Sequence, residues 1–133
     1  MNKKSIMTVA VCILCVIMMT SSVMAEGIVP YADTEFDSAT PSLLSSKSVK
    51  FTADTYATKS KITVTACWLE KSVNGSWSKV CDLTPPSYVA TNTFYYSTTV
   101  SYASQIGSGT FRVWATFNAD GHEITRCSNE RTF

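Results

Sequence analysis

From Ser48 onward, runs in which apolar and polar residues alternate repeat along the chain, with turn punctuation between segments. A period of two sends successive side chains to opposite faces of an extended backbone. Such runs form half-buried β-strands and cannot form amphipathic helices. Ser48 to Thr55 sets Val49, Phe51 and Ala53 against Lys50, Thr52 and Asp54. Lys61 to Lys71 sets Ile62, Val64, Ala66 and Trp68 against Thr63, Thr65 and Cys67. Ser76 to Leu83 is the next run, and Pro85-Pro86 ends it. Thr93 to Tyr102 carries Phe94, Tyr96, Thr98, Val100 and Tyr102 on one side, and Gly107-Ser108-Gly109 then breaks the chain. Thr110 to Asn118 alternates Phe111, Val113, Ala115 and Phe117; after Asp120-Gly121, His122 to Thr132 returns as the last strand. The Thr, Val, Tyr, Phe and Trp of these runs suit a pleated surface.

With a weak first strand at Ser42 to Ser45, seven strands fill about 95 residues. Regular short strands with frequent turns predict an all-β, immunoglobulin-like, seven-strand β-sandwich, with a small β-barrel as the rival topology. In that mapping the third, fourth, sixth and seventh strands form one sheet, and the first, second and fifth form the other. Trp68 takes the place of the tryptophan that such domains bury. The domain is expected over residues 41–133. Residues 26–40 are polar, carry Pro30 and read as a flexible lead-in that becomes ordered near Phe36.

Two hairpins have strong local signals. Asn74-Gly75 and Asp120-Gly121 supply the positive φ that tight hairpin turns require. At the first, two registers compete. A two-residue turn pairs Val73 with Ser76 and sets Glu70 against Lys79, Trp68 against Cys81 and Ala66 against Leu83. A three-residue loop closed by a Gly75 bulge sets Cys67 against Cys81, close enough to bridge. A slip of one residue inverts sidedness, so the registers exclude each other. The ion pair contributes a few tenths of a kcal/mol to about 1 kcal/mol. A disulfide closing about 15 residues contributes roughly 3 kcal/mol. Energetics favour the Cys67–Cys81 bridge if an oxidant is present; the apolar pattern favours the other register.

Ahead of these runs, Asn2-Lys3-Lys4 gives a short positive stretch, and Ile6 to Met19 is apolar except for Thr8. Thr20-Ser21-Ser22 turns polar before Val23-Met24-Ala25. This is the three-part pattern of a secretory signal peptide over residues 1–25. Its apolar core of about 14 residues falls short of the roughly 20 that span a bilayer. Cys12 and Cys15 lie inside that core, and neither follows the small residue a lipidation site needs. Past Ala25 no second apolar run is long enough to anchor the chain, and it ends at Phe133 without a hydrophobic tail or wall-sorting motif. Secretion and release outside the cell are therefore expected. Cleavage leaves 108 residues of the 133, enough for one domain with a modest core.

The chain has 11 basic and 10 acidic residues, and Lys3 and Lys4 are in the leader while no acidic residue is. The remainder holds 9 against 10, a net charge of −1. A near-neutral domain has no electrostatic claim on nucleic acid or on an anionic membrane. Of five cysteines, Cys67, Cys81 and Cys127 remain. An odd count leaves one thiol unpaired within the chain, and Cys127 is the candidate.

Three stretches carry a resemblance. They are Cys67-Trp68-Leu69 with Val73-Asn74-Gly75-Ser76-Trp77, Gly109-Thr110-Phe111-Arg112-Val113, and Asn118-Ala119-Asp120-Gly121-His122 with Ser128-Asn129-Glu130-Arg131. Over Phe36 to Phe133 the chain resembles a family of small secreted proteins of Gram-positive bacteria known only as a domain of unknown function. The resemblance implies export and a Gram-positive source, and it transfers no functional residue.

No catalytic set stands out. His122 and Cys127 lie on one strand, about 16 Å apart at five residues of rise and on opposite faces, which does not suit a nucleophile–base pair. Asp120 and Glu123 are two carboxylates where calcium needs six or more oxygens. No spacing suits zinc and no glycine-rich loop suits a phosphate. The expectation is a non-enzyme with no metal and no cofactor. Trp77, Tyr95 and Trp114 fall on faces opposite the expected core and form the candidate binding surface for an extracellular protein or glycan partner. The alternative is a secreted inhibitor or toxin-like effector that acts through the Asn74-Gly75 and Asp120-Gly121 hairpin tips.

Overall fold

The structure is a computed structural model and describes residues 33–133. The signal-peptide reading of residues 1–25, with Cys12 and Cys15, and the lead-in through residue 32 lie outside the described residues. Seven strands follow: β1 (Phe36–Leu43), β2 (Ser48–Val73), β3 (Ser76–Leu83), β4 (Ala90–Ser101), β5 (Thr110–Ala119), β6 (His122–Cys127) and β7 (Arg131–Thr132). The fold is all-β, a single curled sheet in which every pairing is antiparallel.

Strand β2 is the spine of the sheet. The second and third strands expected from the alternation are one continuous strand of 26 residues. The segment between them, Thr55-Tyr56-Ala57-Thr58-Lys59-Ser60, holds no Gly, Pro, Asn or Asp, so nothing in it turns the chain. The first half of β2 pairs with β1 on one edge and β4 on the other; the second half pairs with β5 and β3. At about 3.3 Å per residue such a strand runs to roughly 85 Å, against a radius of gyration of about 13 Å for a 100-residue domain. It has to bend. It does so where four residues, Thr55 to Thr58, stand against Phe94 alone on β4, and again at a bulge at Thr65.

The bend brings the inner faces of the two halves together. Phe51 on the first half meets Phe117 on β5 edge to face, with ring centres 6.5 Å apart. Tyr96 on β4 meets the same Phe117 at 6.5 Å. Val49, Ala53, Ile62, Leu69, Val113 and Ala115 fill the space around them and are fully buried. The end of β1 is clipped to the C-terminal segment. Asn129 Oδ1 accepts from Leu43 N at 2.8 Å, Asn129 Nδ2 donates to Leu43 O at 3.1 Å, and Arg131 Nε donates to the same oxygen at 3.0 Å.

Three further expectations need correction. The first strand is Phe36–Leu43 and not Ser42 to Ser45, so Phe36 to Thr40 belong to the sheet and not to a lead-in. The last run divides into β6 and β7, with a break at Ser128 to Glu130. The Thr65 bulge inverts the faces of everything after it on β2: Cys67 and Leu69 point into the core, whereas Ala66 and Trp68 point out. Trp68 is not a buried core tryptophan.

Candidate functional site

Among the described residues, the outer face of the second half of the sheet gathers aromatic and charged side chains from several strands. The chain has three tryptophans, and all three lie there. Strand pairing explains the convergence. The sequence reads Trp68-Leu69-Glu70 on β2 and Arg112-Val113-Trp114 on β5. Antiparallel pairing sets Glu70 against Arg112 and Trp68 against Trp114. The two indoles stack with centres 6.0 Å apart and an interplanar angle of 10°. On the other edge of β2 the Asn74-Gly75 turn pairs Ser72 with Trp77 and Glu70 with Lys79. Asn74 and Gly75 both take positive φ, at 53° and 81°, as the tight turn requires.

The side chains form a layer of alternating rings and cations. Arg112 Cζ lies 4.2 Å from the centre of the Trp77 ring and 5.5 Å from that of Trp114. Lys79 Nζ sits 5.9 Å from the centre of the Trp68 ring. Glu70 organises the layer. Its Oε2 accepts from Arg112 Nε at 2.6 Å and from Trp114 Nε1 at 2.9 Å. Burial raises the Glu70 carboxyl, but the hydrogen bonds from Arg112 and Trp114 outweigh it and hold the group below its ordinary value. All three tryptophans are half-buried. Beyond them, Thr116 and Thr125 share a hydrogen bond at 2.9 Å, and Asn118 Nδ2 donates to Glu123 Oε1 at 3.2 Å, which continues the face toward the far hairpin.

The expected surface of Trp77, Tyr95 and Trp114 is thus brought together only in part. Trp77 and Trp114 share the layer. Tyr95 lies on β4 opposite Asp54, on the other half of the sheet, and is 47% exposed. The reading from sequence missed Trp68, Glu70 and Arg112. A signal for them existed: Trp-x-Glu in one run and Arg-x-Trp in another are mirror images, which antiparallel pairing turns into a Trp–Trp and a Glu–Arg contact.

The cysteines follow from the registers. The first hairpin has the two-residue turn and the Glu70–Lys79 pairing, but a bulge at Val80 then sets Leu69 against Cys81 and Cys67 against Leu83. Cys67 and Cys81 are diagonal neighbours on the core face and not directly opposed, and both are free thiols in this structure, as is Cys127. Cys67 is 2% exposed, with Tyr102 Oη at 3.7 Å, and burial pushes its thiol up. Cys127 faces Trp114 on the outer side of β6, and burial pushes this thiol up as well.

His122 is far from Cys127 in its contacts. Its Nε2 lies 2.9 Å from Asp33 Oδ2, and its ring packs 6.1 Å from that of Phe36. Burial works to raise the Asp33 carboxyl. The hydrogen bond with His122 and the N–H groups of Phe36 and Glu35 more than offset it and lower it to about 2. Asp120 commits both carboxylate oxygens to the backbone, accepting from Ser60 N and Lys61 N at 2.9 Å each, so they tie the turn to β2.

Comparisons of the chain with family models, with curated proteins and with solved structures find no match.

Proposed function

We propose that this chain is a secreted, non-catalytic binding module that engages a protein partner through the tryptophan–arginine face of β3, β2, β5 and β6. One observation carries the reading: three tryptophans from three strands converge on an outer face around a Glu70–Arg112 pair. Trp and Arg are the side chains that most often dominate the energy of protein interfaces, especially where neighbouring groups exclude water from them. A protein suits the face better than a glycan. A sugar stacks on an open ring face, and here the Arg112 guanidinium covers one face of Trp77 while Trp68 and Trp114 stack on each other.

The finer fold we infer is an immunoglobulin-like sandwich. The grouping of β1, the first half of β2 and β4 against β3, the second half of β2, β5 and β6 supports it, as does the contact of their inner faces. Export through a signal peptide over residues 1–25 and kinship with the small secreted Gram-positive family belong to the same reading. The N-terminal residue of the protein recovered from the culture medium tests export: Glu26 is the expected result, and an uncleaved chain retained in cells contradicts it.

Binding is tested by screening the purified protein against arrayed extracellular proteins and glycans, with Trp77→Ala and Trp114→Ala alongside. The expected outcome is a protein ligand lost in both variants. A ligand that survives both substitutions but is lost with changes at Asn74 or Asp120 assigns the activity to the hairpin tips instead, as an inhibitor or effector would use them.

A further inference from the structure

Two hairpins of this chain turn on a polar residue followed by glycine, and the two turns share a positive-φ backbone. Asn74 and Gly75 take φ of 53° and 81°; Asp120 and Gly121 take 49° and 93°. Their polar groups fare differently. Asp120 accepts from Ser60 N and Lys61 N at 2.9 Å each, and Gly121 N donates to Asn118 Oδ1 at 3.0 Å. The carboxylate and the amide that follows it are both occupied. At the first turn neither group is. The ladder of that hairpin starts at the Val73–Ser76 pair, outside the two turn residues. Among the described residues the Asn74 side chain and the Gly75 N–H meet no hydrogen-bond partner. Asn74, Gly75 and Ser76 are exposed, and nothing lies within 4 Å of the place that a Gly75 Cβ would occupy.

The difference has a chemical consequence. The carboxamide carbon of an asparagine and the backbone nitrogen of the next residue belong to one chain, and joining them closes a five-membered ring. The attack is intramolecular, which removes most of its entropic cost. A glycine in the second position has no Cβ to crowd the nitrogen. Of the five asparagines, Asn2, Asn74, Asn92, Asn118 and Asn129, Asn74 alone precedes a glycine. Asn118 and Asn129 are also held, with their Oδ1 atoms accepting from Gly121 N and Leu43 N.

We propose that Asn74 is a site of spontaneous deamidation in the folded protein, with water as the co-reactant. Hydroxide takes the proton of Gly75 N, and the nitrogen attacks Asn74 Cγ. The bond from Gly75 N to Cγ forms, the bond from Cγ to Nδ2 breaks, and Nδ2 leaves as ammonia with a proton from water, which restores the hydroxide. Water then opens the cyclic imide. Attack at Cγ leaves aspartate at position 74. Attack at the backbone carbonyl leaves isoaspartate, with the main chain running through the former side chain. Overall one water is consumed, one ammonia is released, and nothing is oxidised or reduced. Either product adds a carboxylate to the tip of the hairpin that carries Trp77 and Lys79. Isoaspartate also adds a methylene to the backbone of the turn that sets Ser72 against Trp77. The reaction stands whether or not the tryptophan face binds a partner.

The experiment is incubation of the purified, folded protein in mildly alkaline buffer. Isoelectric focusing follows the charge, and peptide mapping by a mass-spectrometric method that separates aspartate from isoaspartate locates the change. The expected result is a new species with one more negative charge, modified at Asn74 as a mixture of both products. Its rate should rise in proportion to hydroxide, and the locked Asp120 should yield no isoaspartate. Asn74→Gly, which suits the positive φ of that position, should form no such species. If that variant does not fold, the map of the wild type decides alone. A folded wild type that gains no negative charge, conversion that starts only in urea, modification at another asparagine, or isoaspartate at Asp120 as fast as at Asn74 would each overturn the proposal.

Discussion

The two halves of β2 have the same backbone and the same buried inner face, yet their outer faces are opposites. In the first half the outward residues are Lys50, Thr52 and Asp54, small or charged groups facing solvent around a Thr52–Thr40 contact and a Ser38–Asp54 hydrogen bond. In the second half the outward residues are Trp68 and Glu70, which sit within a second packed layer of rings and cations. One face of the sheet is therefore ordinary surface at one end and close to a small core at the other. The asymmetry lies in packing: three tryptophans outside the core hold one another with Arg112, Lys79 and Glu70 at one end, and nothing comparable covers the other.

The strongest way to break the comparison is at the joint between the halves. Phe117→Ala removes the ring that meets both Phe51 and Tyr96 and should cost about 3–5 kcal/mol in urea denaturation. A loss below about 1 kcal/mol would mean the two inner faces do not share one core. Next comes the outer layer itself. Glu70→Ala strips Arg112 and Trp114 of their shared acceptor and should cost about 1–3 kcal/mol, whereas Asp54→Ala, its counterpart on the first half, should stay within about 0.5 kcal/mol. Equal losses would erase the distinction.

Acid probes the clasp between the segment ahead of β1 and strand β6, formed by Asp33 and His122. The Asp33 carboxyl falls from 3.8 to about 2 on folding. A depressed acid contributes stability that is complete above its unfolded value and is lost as pH falls from 3.8 toward 2. The wild type should therefore lose more stability across that window than Asp33→Asn does, as melting curves at successive pH values would read. The smallest effect belongs to Tyr95→Ala, which should change stability by no more than about 0.5 kcal/mol, in contrast to its fellow surface aromatic Trp114.

Most strands were legible because period two and turn chemistry are local signals. Ser76 to Leu83 is found at its expected bounds, and the Asn74-Gly75 and Asp120-Gly121 turns take positive φ at all four residues. What stayed hidden was set by tertiary context. A bulge adds one residue without a compositional mark, so Thr65 and Val80 reversed the expected faces of Trp68 and Cys67 and displaced Cys81. Pro41 disguised β1, since proline inside a run argues against a strand unless that strand lies at an edge. The tryptophan face was half visible: Trp77 and Trp114 could be placed outside from their own runs, but Trp68 could be added only by knowing where the bulge falls.

The continuity of β2 also fixes how the molecule comes apart. From Val49 to Asp54, at Ile62 and from Cys67 to Lys71 this strand is flanked on both sides, and β1, β3, β4 and β5 all pair with it. Among the described residues β1, β3 and β4 pair with no other strand, so losing β2 leaves all three without a sheet. Partial opening should thus begin with β7 and the outer edges, and the β2 amides near Ile62, held between Ala90 and Ala119, should be released only by global unfolding. Much of this pairing joins residues distant in sequence, so the chain must close long loops before the spine is complete, and folding belongs to the millisecond-to-second regime of non-local β topologies.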